Sequence, residues 1–253
     1  MALLPGIYIT LAILVFIFSG LLAMAGLGAA FIFVPLFYYM GVPLAEATST
    51  ALLLNVVSLL FAAVNYHRGG LINWRVGFPI LIAAVVLAPL GARVTPFVNK
   101  TLLLGMFASF LLFAGFMMLF YRTAPKSRVM NRSAEVGLGT AVGAVAGFLG
   151  GLLGIGGGNF IVPVLNWIGL DAKVAAGTTA MVVVFASFSG FLGHVTLGGL
   201  NPPFVGLMAL MVALGSIAGS HVMKARLSSA QLKKIIGVLL WMIAAKMIFD
   251  LIK

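Results

Sequence analysis

Two glycine-rich runs are the part of this chain with the clearest capacity for chemistry. Residues 154–163 read GIGGGNFIVP, and residues 26–35 read GLGAAFIFVP, a weaker copy 128 positions earlier. Glycine lets the backbone turn and expose its N–H groups, which can bind an anion where a helix begins. Because both runs lie inside long apolar stretches, they predict two broken helices that meet near the middle of a membrane.

The composition predicts a multi-pass protein of the plasma membrane. Charged residues make up 8% of the chain and hydrophobic residues 63%, against roughly 25% and 45–50% in soluble domains. No charged residue precedes Glu46, none lies between Glu135 and Asp171, and none lies between Lys173 and Lys224. Stretches of about 20 apolar residues are long enough to cross the hydrocarbon core of a bilayer.

The apolar stretches divide into ten predicted helical segments, at residues 6–24, 29–41, 46–66, 75–93, 101–121, 134–153, 158–169, 173–195, 203–223 and 234–252. The second and seventh are too short to span a membrane alone. Each is therefore expected to form a broken or re-entrant hairpin with the segment before it. This pattern predicts an all-α polytopic membrane protein whose two homologous halves each contain such a hairpin followed by three transmembrane helices.

The two halves also align outside the glycine runs. Residues 48–51 read TSTA and residues 177–180 read GTTA, while a GGL triplet occurs at both 69–71 and 198–200. A period of this length indicates duplication of a whole half. We therefore divide the chain into a first repeat at 1–121, a basic linker at 122–133 and a second repeat at 134–253.

The basic residues predict the orientation in the membrane. The linker and the loops at 67–75 and 224–234 together hold ten of them, which places all three in the cytoplasm by the positive-inside rule. The opposite side is then assigned Arg93, Lys100, Lys173 and Lys253. Both termini become external, and five segments per half make the repeat inverted. This account of the net charge of +11 requires no nucleic acid.

Backbone N–H groups, hydroxyls and one histidine supply the candidate contacts to a substrate. The hydroxyls could equally cap their own helices, the histidine could simply lie at the membrane interface, and the glycines could serve only close packing. Asn55 and Asn65 lie in apolar helices and are expected to face the protein interior. The candidate substrate-binding residues are Gly26, Gly28, Ser49, Thr50, Gly156, Gly157, Gly158, Asn159, Thr178, Thr179 and His194.

A second set of residues is predicted to be structural. Glycines recur every fourth position in the sixth segment, which forms a ridge of small residues suited to close helix contact. One proline follows each glycine run and is expected to set the geometry of the short segment that it enters. These residues are Gly139, Gly143, Gly147, Gly151, Pro35 and Pro163.

The order of these motifs resembles that of the TauE/SafE sulfite-exporter-like family, also called the toluenesulfonate uptake permease family. The resemblance covers residues 20–251 and includes the PLGAR sequence at residues 89–93. It implies a secondary transporter of sulfite, a sulfonate or a related small anion. The first half departs from the usual pattern, because Ala29 and Ala30 stand where the second half has Gly157 and Gly158.

The residues and the resemblance together predict a carrier that exports a small anion by alternating access at a midplane site. The bilayer and the anion are its expected partners, and proton coupling and a homo-oligomer stay open. The alternatives are an anion channel, a membrane subunit of a larger assembly and, with less support, an intramembrane enzyme. No cofactor or metal site is predicted, and the absence of cysteine excludes thiolate chemistry.

Overall fold

The chain is folded almost entirely into helices. The computed structural model describes residues 5–23, 28–120, 131–195, 200–222 and 229–252. These residues contain no strand, and they form ten α-helices: α1 (Pro5–Ala23), α2 (Ala30–Tyr39), α3 (Leu44–Arg68), α4 (Trp74–Val94), α5 (Lys100–Phe120), α6 (Arg132–Leu153), α7 (Gly158–Trp167), α8 (Ala172–Val195), α9 (Pro202–Val222) and α10 (Ser229–Ile252). Each helix coincides closely with one predicted segment.

The outer surface of the bundle is apolar, as a lipid environment requires. Six helices within the described ranges are long and apolar enough to cross a membrane. Large hydrophobic side chains on several helices point outward, among them Phe78, Phe116, Leu210 and Met242. A soluble protein would cover most of such a surface with charge. The prediction of an all-α polytopic membrane protein is confirmed.

Helices α3 and α8 lie side by side in the centre of the bundle and run in opposite directions. As residue numbers rise along one helix, the contacting numbers fall along the other. Three contacts define this pairing: Tyr66 with Gly177, Asn55 with Ser187, and Leu52 with Gly190. The two helices hold equivalent places in the two halves, so their antiparallel packing is the arrangement that an inverted repeat requires.

The halves interlock by exchanging contacts between their first and fourth helices. Helix α1 packs along α9, where the rings of Tyr8 and Phe204 lie 5.8 Å apart. Its counterpart α6 packs along α4, where Gly143 lies directly against Ile80. Neither half is therefore packed as a separate body, and the division at the linker stays a prediction because residues 122–130 lie outside the described residues.

The two ends of the bundle differ in the chain segments that they hold. We call the end that contains Phe120 and Asn131 the linker end, and the end that contains Val94 and Lys100 the far end. Helices α4, α6 and α8 all run from the linker end towards the far end. The hairpin formed by α6 and α7 turns back inside the bundle and returns the chain to the linker end.

The assignment of Lys173 to the side opposite the linker is wrong. The backbone N–H of Asn73, in the turn between α3 and α4, donates a hydrogen bond of 2.9 Å to Thr178 Oγ1. This contact fixes the start of α8, and Lys173 with it, at the linker end. The correction follows from the hairpin that returns there, and it adds one more positive charge to the end predicted to be cytoplasmic.

The glycine ridge of α6 lies against α4 along its whole length. A Cβ atom on Gly147 would collide with the backbone of Ala84, whereas a Cβ on Gly137 in the same helix would meet no atom within 4 Å. We expect Gly147→Ala to lower the free energy of unfolding by about 1–3 kcal/mol through overpacking. The control Gly137→Ala should be neutral or slightly stabilising. Equal thermal unfolding temperatures in detergent would contradict this packing role.

Candidate functional site

The second glycine run forms a sharp break between α6 and α7. Helix α6 ends at Leu153, and Gly154, Gly156 and Gly157 adopt φ values of 72°, 75° and 75°. Residues with side chains rarely adopt such left-handed conformations, which explains why this turn is built from glycine. The chain thereby reverses direction inside the bundle within four residues and starts α7 at Gly158.

The first glycine run forms the corresponding break before α2. Gly28 has a φ of 78°, close to the value at Gly156, which lies 128 positions later. Ala29 is the N-cap of α2. Gly26, the other predicted site residue of this run, lies outside the described residues. Both breaks thus place a left-handed glycine two residues before a ten-residue helix.

Asn55, from the middle of α3, joins the two breaks. Its Oδ1 accepts hydrogen bonds from the backbone N–H groups of Ala29 at 2.8 Å and Ala30 at 3.3 Å. Its Nδ2 donates to Ser187 Oγ of α8 at 2.9 Å. A Cβ on Gly156 would lie only 2.6 Å from the same Nδ2 atom. One fully buried amide therefore contacts both breaks and both central helices.

The junction of the breaks lies at mid-height in the bundle and is closed to solvent. Asn55 follows the start of α3 at Leu44 by eleven residues, or about 16 Å at 1.5 Å per residue. That distance corresponds to half of a hydrocarbon core about 30 Å thick. Gly28, Gly156 and Ser187 are all buried. Any ligand bound at this junction would be shielded from water on both sides.

The two breaks differ in how their helix starts are satisfied. Asn55 caps α2, but no side chain caps α7 among the described residues. Val183 of α8 lies beside the second break, and its Cγ1 is 3.3 Å from where a Cβ on Gly156 would be. A valine cannot accept a hydrogen bond. The first N–H groups of α7 are consequently left as donors in a buried place, next to the positive end of a helix dipole.

Asn159 and His194 occupy different surroundings. Asn159 is buried in the first turn of α7, immediately after the break, with 7% of its surface exposed. His194 is also buried, but its Nε2 lies 2.6 Å from the carbonyl oxygen of Gly151 at the far end of α6. The structure therefore places Asn159 beside the break and His194 in a contact that holds α6 and α8 together.

The predicted hydroxyl residues do not gather at one point. Ser49 donates to the carbonyl of Ala45 in its own helix, and Thr178 accepts from Asn73 at the linker end. The hydroxyls of Thr50 and Thr179 are buried and have no hydrogen-bond partner among the described residues. These side chains lie one or two turns inside their helices. They are therefore too far in to act as N-caps.

Three further features of the sequence lie outside the junction of the breaks: Asn65, Lys246 and the two helix prolines. Asn65, expected to face the interior, is instead exposed near the linker end of α3. Lys246 forms an ion pair of 3.3 Å with Asp250 one turn later in α10. Pro35 and Pro163 occupy the same sixth position of α2 and α7. Proline has no backbone N–H to donate, and in membrane helices neighbouring groups can satisfy the carbonyl that it leaves unpaired.

The comparison with known families agrees with this architecture. The family model for the sulfite exporter TauE/SafE matches residues 11–247, nearly the whole chain. The chain belongs to the sulfite exporter TauE/SafE family. It is therefore a multi-pass membrane transporter that acts on a small-molecule substrate, and not an intramembrane enzyme.

Two probable membrane transporter proteins are distant relatives that match this chain over most of their length. A probable membrane transporter protein of Methanocaldococcus jannaschii is 25% identical over 83% of this chain and 84% of its own. The probable membrane transporter protein YunE of Bacillus subtilis is 24% identical over 96% and 98%. The sulfite exporter TauE/SafE family protein 1 of Arabidopsis thaliana is 33% identical over 37% of this chain and 23% of its own.

Asn55 and Ser187 are the junction residues that the sequence-based site did not include. An asparagine in the middle of an apolar helix was one available signal, because such groups in membranes face the protein interior. The position aligned with Asn55, 129 residues later as in the TSTA and GTTA pair, holds Val184, so the repeat itself hid this residue. Its contacts across 25 to 132 residues of sequence are visible only in the folded chain.

Proposed function

We propose that this chain is a secondary carrier that exports a small anion, such as sulfite, a sulfonate or a related organic acid, across the plasma membrane. The anion binds at the start of α7, formed by Gly156, Gly157, Gly158 and Asn159. The observation that carries this proposal is the buried, uncapped start of α7 at mid-height, opposite a start of α2 that Asn55 already caps.

The electrostatics of the junction suit an anion. A helix start carries about half a positive charge, and each hydrogen bond to a charged group contributes about 1.5–3 kcal/mol. The amide Nδ2 of Asn55 lies beside Gly156 and adds a further donor. Together these groups offset the cost of removing a small oxyanion from water without a buried cation. The tight packing around the glycines favours a substrate of few atoms.

Alternating access follows from the inverted arrangement that we propose for the halves. The antiparallel α3 and α8 would form the axis between the repeats, and each hairpin would open towards a different side. The closed junction would then represent an occluded state of the carrier. A permanently open channel would require a water-filled path past residues that are buried here.

Export is the direction that the membrane potential favours. An anion that leaves a negative interior gains about 2.3 kcal/mol per charge for each 100 mV. The potential alone can therefore drive export, and a coupled proton would add to it. The net charge that crosses the membrane with each anion distinguishes export driven by the potential alone from export coupled to a proton.

Anion flux in proteoliposomes tests the proposed function directly. We expect radiolabelled sulfite to leave vesicles that contain the purified protein, at a rate that rises when the inside is made negative with a potassium gradient. Protein-free vesicles and an imposed pH gradient serve as controls. If neither sulfite nor small sulfonates move faster than in protein-free vesicles, the proposed substrate class is wrong.

Labelling of single cysteines tests the orientation. The native chain has no cysteine, and Ser133 and Thr101 are exposed at the linker end and the far end. We expect an impermeant thiol reagent added to intact cells to label Thr101→Cys and not Ser133→Cys, because the basic linker lies inside. The opposite labelling pattern would reverse the proposed topology, with both termini inside.

A further inference from the structure

We propose that the groove between α4 and α6 at the linker end binds a phospholipid with an anionic headgroup. The groove has a volume of about 940 Å³ and lies on the outside of the bundle. It is separate from the junction of the two breaks, and no transport role has been assigned to it. Its ligand would be a structural lipid of the inner leaflet, so this inference concerns a site beyond the proposed anion transport.

The mouth of the groove is positively charged. Arg75 and Arg132 both line it, and both are exposed. Arg75 forms an ion pair with Glu135, whereas Arg132 has no carboxylate partner among the described residues. The three charges leave one net positive charge where a lipid phosphate would lie. Arginine is well suited to phosphate because its planar group can donate two parallel hydrogen bonds.

Below its mouth, the groove is apolar for the depth of one lipid leaflet. Phe78, Ile82 and Val86 follow one another on the same face of α4 and are 56%, 48% and 58% exposed. The groove extends from Arg75 to Leu87, or about 18 Å along the helix. Half of the hydrocarbon core is about 15 Å thick. A single acyl chain can therefore fill the groove while its headgroup reaches the arginines.

Trp74 marks the membrane surface at the same level. It lines the mouth of the groove and is 44% exposed. Tryptophan is enriched at the boundary between hydrocarbon and headgroups. Its position next to Arg75 puts the arginines at headgroup depth. A docked protein helix would instead place apolar side chains along the whole groove and leave the arginine charges unmatched.

The repeat supplies an internal comparison. The pair formed by α1 and α9 is the counterpart of the pair formed by α6 and α4, and its equivalent mouth would lie at the far end. Its sequence positions equivalent to Arg132 and Arg75 hold Leu4 and Phe204. The equivalent mouth at the far end therefore lacks both arginines. The linker end is the one assigned to the cytoplasmic leaflet, where anionic lipids are concentrated.

Native mass spectrometry of the purified protein tests this site. The protein is titrated with dioleoyl phosphatidylglycerol and, separately, with dioleoyl phosphatidylcholine, which has the same chains and no net charge. We expect tighter binding of the anionic lipid, and about fivefold weaker binding of it by Arg132→Gln. Arg93→Gln, at the other end of α4, is the matched control and should bind as the native protein does.

A second variant tests the apolar part of the groove independently of charge. Val86→Trp fills the depth of the groove and should displace the lipid while both arginines remain. Thermal unfolding in detergent shows that each variant is folded. Equal affinity for the two lipids, or unchanged binding by both Arg132→Gln and Val86→Trp, would overturn the proposal. Efficient disulfide formation between copies of Ile82→Cys in liposomes would also overturn it, because a second copy would then occupy the groove.

Discussion

We expect Asn55→Asp to reduce anion flux by about 10³-fold without unfolding the protein. The new side chain keeps an oxygen that accepts from the backbone N–H groups of Ala29 and Ala30, so the cap of α2 is retained. It also places a negative charge beside Gly156. At an effective dielectric constant of 20, two negative charges about 4 Å apart repel by about 4 kcal/mol. Radiolabelled sulfite flux in proteoliposomes measures the loss.

Asn65→Asp is the matched control for that variant. It makes the same substitution in the same helix, ten residues nearer the linker end, where Asn65 is exposed. Its flux should stay within about twofold of the native value, because a surface charge is well screened by water and salt. If Asn55→Asp transports as well as Asn65→Asp, the anion does not bind at the junction of the breaks.

We expect Val183→Asn to lower the affinity for the anion by at least about tenfold. Val183 lies close to Gly156 of the second break, as Asn55 lies close to Gly28 of the first. An amide oxygen there would accept from the uncapped N–H groups of α7 and so compete with the substrate. Displacing the amide oxygen from these N–H groups would cost about 1.5–3 kcal/mol, the typical contribution of a hydrogen bond to a charged group. The concentration of sulfite that gives half-maximal flux measures the change.

Val183→Leu separates this effect from a change in size. Leucine has nearly the shape of asparagine but cannot accept a hydrogen bond, so it should disturb packing equally and leave α7 uncapped. A similar fall in affinity in both variants would show that volume, and not capping, causes the loss. An affinity unchanged in Val183→Asn would place the substrate away from α7.

Polar substitutions are better tests of this site than substitutions of its glycines. A Cβ on Gly157 would collide with the carbonyl of Ala146, and its φ of 75° already strains any larger residue. Loss of transport in Gly157→Val would therefore report a distorted break whether or not an anion binds there. Asn55 and Val183 change the hydrogen bonds at the junction and leave the backbone as it is.

The sequence alone determined the helices, the breaks and the family. Apolar segments and glycine runs are local features, because a bilayer requires each spanning segment to satisfy its own backbone as a helix. The second and seventh segments were therefore recognisable from their length and from the glycines before them. The repeat of GLGAAFIFVP as GIGGGNFIVP was equally visible, since duplication preserves spacing even where individual residues differ.

The tertiary structure alone decided which donors are satisfied and which are left open. Asn55 caps a helix 25 residues away, and the hairpin of α6 and α7 returns Lys173 to the linker end. The hydroxyl groups considered as helix caps lie inside their helices. Ser49 donates within α3, and Thr178 of α8 accepts from Asn73 in the turn before α4. Hydrogen-bond partners depend on distances of a few tenths of an ångström between separate helices. No local pattern specifies such distances, so the uncapped start of α7 became visible only when the helices were packed together.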